Sequence, residues 1–201
     1  MGDRASEPVL VHLTAVPAHE LLTRAWDANQ AHRDVMSLFD PNLPGDRKER
    51  RAGAGVLFRL DQIPSEVRVL VQSSVPPVLR TPGMRSRVVN LGAGLAPGVG
   101  VRFRVAVNAV RRGGPLGERP VEPCDLPDWL LGKLEGALDG ATFLAADRRV
   151  LRAGARALQV DTVDGAAVVA DAALLVDLMR SGVGRSKSYG CGLLSVAALG
   201  A

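Results

Sequence analysis

Along this chain apolar residues either alternate in short stretches bounded by turn residues, as strands do, or recur every three to four positions, as helices do. Val9 to Val16 reads as a first strand, apolar apart from His12 and Thr14, and Pro17 ends it. A proline can open a helix, whose first turn needs no N–H from it. From Ala18 to Phe39 the spacing is helical, with Leu21, Ala25, Ala28, His32, Val35 and Phe39 on one stripe, and Asp40-Pro41 stops it. Pro41 to Arg51 is a turn-rich basic loop. Strands are expected over Val56 to Asp61 and Arg68 to Val75, while Pro76 to Pro82 cannot sit inside a central strand. Arg85 to Gly100, with four glycines, reads as a weak helix or an irregular loop. Val101 to Ala109 alternates again: Val101, Phe103, Val105 and Val107 share one face, Arg102 and Arg104 the other. The set from Val9 to Ala109 thus follows a β-α-β-β-(α)-β order, that of a ferredoxin-like unit.

Arg111 to Asp125 is rich in Gly, Pro and charge and reads as a linker. A short helix follows to about Leu138, with Trp129, Leu130, Leu134 and Leu138 as its apolar stripe. Next come an apolar segment from Ala141 to Ala146, a basic hairpin candidate from Asp147 to Arg156, and strands near Ala157 to Val163 and Ala166 to Ala170. Val163-Asp164-Gly165 has the composition of a hairpin turn. Asp171 can cap a helix running to Ser181, and Leu193 to Leu199 reads as a closing strand. The fold class expected is α+β, two tandem ferredoxin-like domains. Residues 1–112 would form the first, 113–125 the linker and 126–201 the second.

Composition fits this and narrows the partner. The chain has 201 residues, room for two small domains, and at 47% hydrophobic it can bury real cores. Its net charge is +4, and of 25 cationic residues only Lys48, Lys133 and Lys187 are lysines, leaving 22 arginines. A guanidinium grips phosphates and base edges bidentately, so the bias suits nucleic acid, although biased codon usage produces the same excess. Cys124 and Cys191 are too few for a disulfide framework, and neither they nor the three histidines show metal-ligand spacing. No metal or cofactor is expected. Met1 to Pro8 lacks the apolar core of a signal peptide and no apolar run is of membrane-spanning length, so a cytoplasmic protein with no membrane partner is expected.

The most informative segment runs from Gly182 to Gly192, Gly-Val-Gly-Arg-Ser-Lys-Ser-Tyr-Gly-Cys-Gly. Its glycines, Gly182, Gly184, Gly190 and Gly192, with Arg185, Ser186, Lys187 and Ser188 between them, could present N–H groups, hydroxyls and cations to a phosphate backbone. Close packing of a loop is the structural alternative. A nucleotide P-loop is excluded: it needs glycine directly before Lys-Ser, where Ser186 stands, and leads from strand to helix, whereas this run leads from helix to strand. Read on through Leu193-Leu194-Ser195, the run resembles the C-terminal signature of the CRISPR-associated repeat-RNA endoribonucleases of the type I-E branch (CasE), Gly-Ile/Val-Gly-x-x-Lys-x-x-Gly-x-Gly-Leu-Leu-Ser/Thr. Arg102-Phe-Arg-Val-Ala-Val-Asn108 is similar to that family's Arg-Phe-Arg-x-x-x-Asn strand. Trp129-Leu130 with Lys133-Leu134 is similar to its Trp-Leu-x-x-Lys-Leu helix.

The resemblance implies two tandem ferredoxin-like domains and metal-independent cleavage of the repeat hairpin in precursor crRNA. In that reaction the ribose 2′-hydroxyl attacks its own phosphate and leaves a 2′,3′-cyclic end. It also implies that the protein stays on the mature crRNA with the other subunits of the type I-E surveillance complex (Cascade). His32 falls in the first helix, where the family has its catalytic histidine; by spacing alone it is a core-edge residue. Some relatives carry a tyrosine three positions earlier, where this chain has Asn29, which can orient substrate or stabilise charge but cannot donate a proton as a phenol does. Tyr189, the one tyrosine, either supplies a hydroxyl or packs. At 3% aromatics the chain suits a folded hairpin held through phosphates and grooves better than stacked single bases. Arg148, Arg149, Arg152 and Arg156 are the candidate clamp, and Arg102 and Arg104 a second contact. Asn29 also motivates the alternative, a crRNA-binding or assembly subunit of the same fold that does not cut.

Overall fold

The computed structural model describes residues 7–22, 27–44, 49–112 and 117–200. Outside these lie residues 1–6, Ala25 of the predicted helical stripe with the rest of 23–26, residues 45–48 of the basic loop, residues 113–116 of the linker, and Ala201.

The first sheet contains β1 (Leu10–Pro17), β2 (Leu57–Ile63), β3 (Glu66–Ser73) and β4 (Arg85–Asn90), antiparallel in the order β2-β3-β1-β4. Alternation places Thr14 and Val16 of β1, Phe58 and Leu60 of β2, and Val69 and Val71 of β3 on one face. Helix α2 (Ala28–Met36) packs Ala31 and Val35 against that face, with Leu38 and Phe39 closing the core.

The predicted helix from Ala18 to Phe39 is not continuous. A short α1 (Ala18–Leu21) ends at Leu22, whose backbone is extended (φ −89, ψ 113), and α2 begins after Asp27, also extended. Asp27 accepts from the N–H groups of Asn29 (2.9 Å) and Gln30 (3.0 Å), the orphan donors of a new helix start. An apolar stripe can pass across such a restart without a break in period, so spacing alone could not reveal it. A four-residue α3 (Arg50–Gly53) precedes β2.

Two other expectations need correction. Arg85–Asn90 is neither helix nor irregular loop but an edge strand on β1, in register from Leu10↔Asn90 to Ala15↔Arg85. It lies at the margin of the core, with Val88 at 56% exposure and only Val89 packed against a buried cluster, so it had no need of a continuous apolar face. The strand β5 (Gly100–Val107) does not complete this sheet. It is an inner strand of the second, between β9 (Arg156–Val169) and β10 (Leu194–Ala198), with β8 (Leu138–Ala153) outermost: β10-β5-β9-β8. Alternation identifies a strand but not its partners.

Relabelled by chain order within each unit, both sheets read fourth, first, third, second, the ferredoxin-like arrangement. The second unit has both crossover helices, α4 (Leu126–Leu134) and α5 (Ala172–Ser181), the latter capped by Asp171 as expected. Leu126, Leu130, Leu134, Leu175 and Met179 from these helices cover Val101, Phe103, Val105 and Val107 of β5. In the first unit β3 runs to β4 without a helix. The predicted linker contains a small ribbon, β6 (Val110–Arg112) with β7 (Glu118–Pro120), and a 3-10 turn at Pro123–Asp125.

The hairpin turn lies at Gly154-Ala155, not at Val163–Gly165. Gly165 sits inside β9, flanked by Phe103 of β5 and Phe143 of β8. Those two rings meet edge to face, 6.3 Å apart at 88°, across its missing side chain. The glycine marks a close approach rather than a turn.

Candidate functional site

The glycine-rich segment lies on the seam between the two units. Gly182 ends α5, the 3-10 turn Lys187–Tyr189 follows, and β10 begins at Leu194. Gly182, Gly184, Gly190 and Gly192 all have positive φ. At Gly182 (φ 80) a Cβ would stand 2.9 Å from the Leu57 side chain and 3.1 Å from the Gly192 carbonyl oxygen, so both the conformation and the packing exclude a side chain. The loop is pinned to the end of β5, because Gly192 N–H donates to the Ala106 carbonyl (2.7 Å) and Val183 N–H to that of Gly192 (2.9 Å).

All three sequence motifs meet here. A Cβ on Gly184 would stand 3.4 Å from the Trp129 ring, whose Nε1 donates to the Val110 carbonyl (3.2 Å). Ser186 Oγ donates to Asn108 Oδ1 (3.0 Å) at the end of the Arg-Phe-Arg strand. The glycine-rich run thus forms one contact cluster with partners at Trp129 and Asn108, more than fifty residues before it in sequence.

The turn Lys187–Tyr189 packs against α2, the helix that carries His32. His32 is half-buried, and its Nδ1 is buried with no hydrogen-bond partner among the described residues. Burial, then the guanidiniums of Arg51 and Arg33, hold the ring below its ordinary pKa and favour the neutral imidazole. Lys187 is lowered in the same way, by burial and then by Arg51. Arg51, itself lowered by burial, donates to the Val56 carbonyl (2.8 Å) and is the charge that acts on both. The sequence reading missed Arg51, which it placed in a basic loop. No motif marks it; a charge run beside a turn is the only local signal.

The other candidates are placed less uniformly. Asn29 lies at the tip of the β8–β9 hairpin, where a Cβ on Gly154 would be 3.5 Å from its amide nitrogen, and Asp27 accepts from Gly154 N–H (2.9 Å). Tyr189 lines a cleft of about 630 Å³ between the sheets. Lys187 Nζ donates to the Ser181 carbonyl at the end of α5 (2.7 Å), and Arg185 pairs with Glu118 of β7. Ser188 is half-buried.

The four hairpin arginines do not share one side. Strand alternation and the register Ala153↔Arg156 put Arg148 and Arg152 on one face and Arg149 and Arg156 on the other. Arg148 neutralises the buried carboxylate of Asp161 (2.6 Å) and donates to the Val121 carbonyl. Arg149 bonds Asp147 (2.6 Å) and Gln62 (2.8 Å). Arg152, Arg156 and Arg102 are exposed, with no ion pair among the described residues. Arg104 grips Asp164 through two bonds of 2.6 and 2.8 Å, and that hydrogen-bonded pair raises its pKa further. Beside it Arg59, 3% exposed, donates to both oxygens of Asp61 and to the carbonyls of Arg104 and Leu193. These pairs wall the cleft with balanced charge. Among the described residues no group of three His, Cys, Asp or Glu side chains could hold a metal ion, and no helix is long and apolar enough to cross a membrane.

A family model described as CRISPR associated protein matches residues 10–198. The sequence is 28% identical over 200 residues to the Cascade subunit CasE of Escherichia coli strain K12, covering 89% of this chain and 97% of that protein. The fold is similar to that of the CRISPR endoribonuclease Cse3 bound to a 19-nucleotide RNA. The TM-score is 0.72 at 25% identity, over 94% of this chain and 99% of that one. A chain of a CRISPR RNA-guided surveillance complex is similar at a TM-score of 0.67 and 25% identity, over 94% and 100% of the two chains.

Proposed function

This chain belongs to the CRISPR-associated protein family, in its CasE (Cse3) branch, and from that membership we propose that it cuts the repeat hairpin of precursor crRNA without a metal and stays bound as a Cascade subunit in the cytoplasm. The observation that carries the cleavage reading is the packing of the His32 helix against the turn bearing Lys187, with Arg51 acting on both.

In this mechanism neutral His32 takes the proton of the 2′-hydroxyl, and the freed oxygen attacks the adjacent phosphorus. The phosphorus–5′-oxygen bond breaks, giving a 2′,3′-cyclic phosphate and a 5′-hydroxyl once the leaving oxygen gains a proton. Lys187 and Arg51 oppose the negative charge that grows on the phosphate oxygens. Asn29 orients the nucleotide beside the hairpin tip, and Tyr189 or a water returns the proton. Arg102, Arg152 and Arg156 grip phosphates directly; Arg149 and Arg185 do so by exchanging exposed carboxylate partners, and Arg148 and Arg104 by offering their remaining N–H groups while keeping Asp161 and Asp164. The two sheets act as two domains that divide between Asn90 and Gly100, so the boundary proposed from structure precedes β5 rather than following it.

The test is incubation of the protein with a labelled repeat hairpin in EDTA, beside a His32→Ala variant. Cleavage by the parent that falls at least about a hundredfold in the variant is expected, the usual range for loss of a general base. Tight binding without cleavage by the parent would leave the non-cutting subunit, the reading that Asn29 favours. Cleavage that requires added Mg²⁺ would refute the metal-free route.

A further inference from the structure

Ser186 is the one non-glycine residue with positive φ among the described residues, at φ 58 and ψ 31. The left-handed region crowds any Cβ against the backbone, and serine is not among the residues that visit it readily. Something must hold it there. Ser186 Oγ donates to Asn108 Oδ1 (3.0 Å), and Asn108 Nδ2 donates to the Gln159 carbonyl on β9 (2.8 Å). Asn108 is only 6% exposed, so its amide is set by β9 and presents its oxygen to Ser186.

The consequence falls on the residues that follow. The 3-10 turn starts directly after Ser186 and is closed by Tyr189 N–H donating to the Ser186 carbonyl (2.8 Å). Lys187, Ser188 and Tyr189 therefore move as a block with the backbone angles of Ser186. The ends of the loop are held separately, by Gly192 on Ala106 and Val183 on Gly192, so neither needs Ser186. We propose that Asn108 and Ser186 are positioning residues, a half-buried hydrogen-bonded pin that holds the turn Lys187–Tyr189 against α2 and so sets Lys187 relative to His32. The role rests on the endoribonuclease reading, and it gives the asparagine of the Arg-Phe-Arg strand a task in the site.

Ser186→Gly separates this role from folding. Glycine adopts the same left-handed angles without strain, so the loop still closes, but the hydroxyl that meets Asn108 is gone. Single-turnover cleavage at saturating protein is expected to slow about tenfold, the scale of one lost hydrogen bond to a buried group. Affinity for a hairpin with a 2′-deoxy sugar at the cut stays within about twofold, and the melting temperature changes little because relief of the left-handed strain at position 186 offsets the lost hydrogen bond. Asn tolerates the left-handed region and carries a donor, so Ser186→Asn restores most of the rate. Asn108→Ala repeats the loss if it folds; Ser186→Gly decides the matter if it does not. A Ser186→Gly protein that cuts at the parental rate overturns the proposal. So does one whose rate, affinity and melting temperature fall together, the mark of a merely structural residue. If the parent itself does not cut, the nuclease reading fails and the catalytic role with it. Amide exchange across 186–190 then decides the pin alone: faster exchange in Ser186→Gly supports it, unchanged exchange overturns it.

Discussion

His32 sits on a stripe whose spacing would serve a buried histidine equally well, and its chemistry comes from neighbours that the stripe does not include. Burial, Arg51 and Arg33 each disfavour the imidazolium, which places its pKa below 6.5. A proton acceptor must be neutral, so cleavage should climb as pH rises through this lowered value, with the midpoint of the acid limb below 6.5. Arg51→Ala removes the second cause while burial remains, and the acid limb should move up toward 6.5, read from single-turnover rates between pH 4.5 and 8. A parental acid limb above 6.5 would contradict this account. The same shift has a sign for stability. The unfolded chain, titrating near 6.5, binds the proton more readily than the folded one. Stability is therefore full above about 6.5 and declines as pH falls from there toward the folded-state pKa. His32→Ala should flatten that decline in melting curves.

At the scale of elements, the β8–β9 hairpin was legible, since its reversal at Gly154-Ala155 falls within the expected basic hairpin Asp147–Arg156, but a second reversal was expected at Val163–Gly165, where β9 runs on. Asp-Gly suggests a reversal, and Gly154 and Gly165 both stand beside plausible strands; burial of Phe103 and Phe143 across Gly165 decides between them. In Gly165→Ala the new Cβ would lie 2.3 Å from the Phe103 ring and 2.9 Å from the Thr142 carbonyl oxygen. Backbone on one side and a packed ring on the other leave little room to yield. Thermal or urea unfolding should show a loss of about 2–3 kcal/mol, the scale of overpacking in a core. A variant within 0.5 kcal/mol of the parent, about the scale of a surface change, would show that the sheet can open there. The hairpin's arginines carry a related lesson. Closeness in sequence suggested one clamp, but the two-residue period of a strand divides them between faces.

Across the whole molecule, two similar units are joined by a seam whose polar centre is Arg59. This guanidinium, 3% exposed, bonds Asp61 on its own strand and two carbonyls of the other unit, Arg104 and Leu193. Removing it leaves Asp61 with only the more distant Arg104 (3.7 Å) and two carbonyls short of a donor at a largely buried seam, and Arg59→Met should destabilise the protein by about 3 kcal/mol in urea unfolding. Replacing Asp61 with Leu in the same chain should recover part of that loss, since an uncompensated charge costs more than an absent pair. A double variant less stable than Arg59→Met would contradict this reading of the seam.

The sequence alone determined most of the kinds of element, the α+β class and the family, because periodicity and a dense local motif are properties of neighbouring residues. The run from Gly182 through Ser195 is recognisable for that reason, each of its positions being constrained within a single loop. Tertiary structure alone decided that β5 joins the second sheet, that Arg85–Asn90 is an edge strand, and that Asn108, Trp129 and Ser186 meet in one cluster. Only the fold, too, brought Arg51 near His32 and Lys187. Pairing of strands and of charges joins residues far apart along the chain, such as Arg59 and Leu193, 134 positions away. Which of several compatible partners is chosen depends on the burial and charge balance of the assembled molecule, and no local period records it.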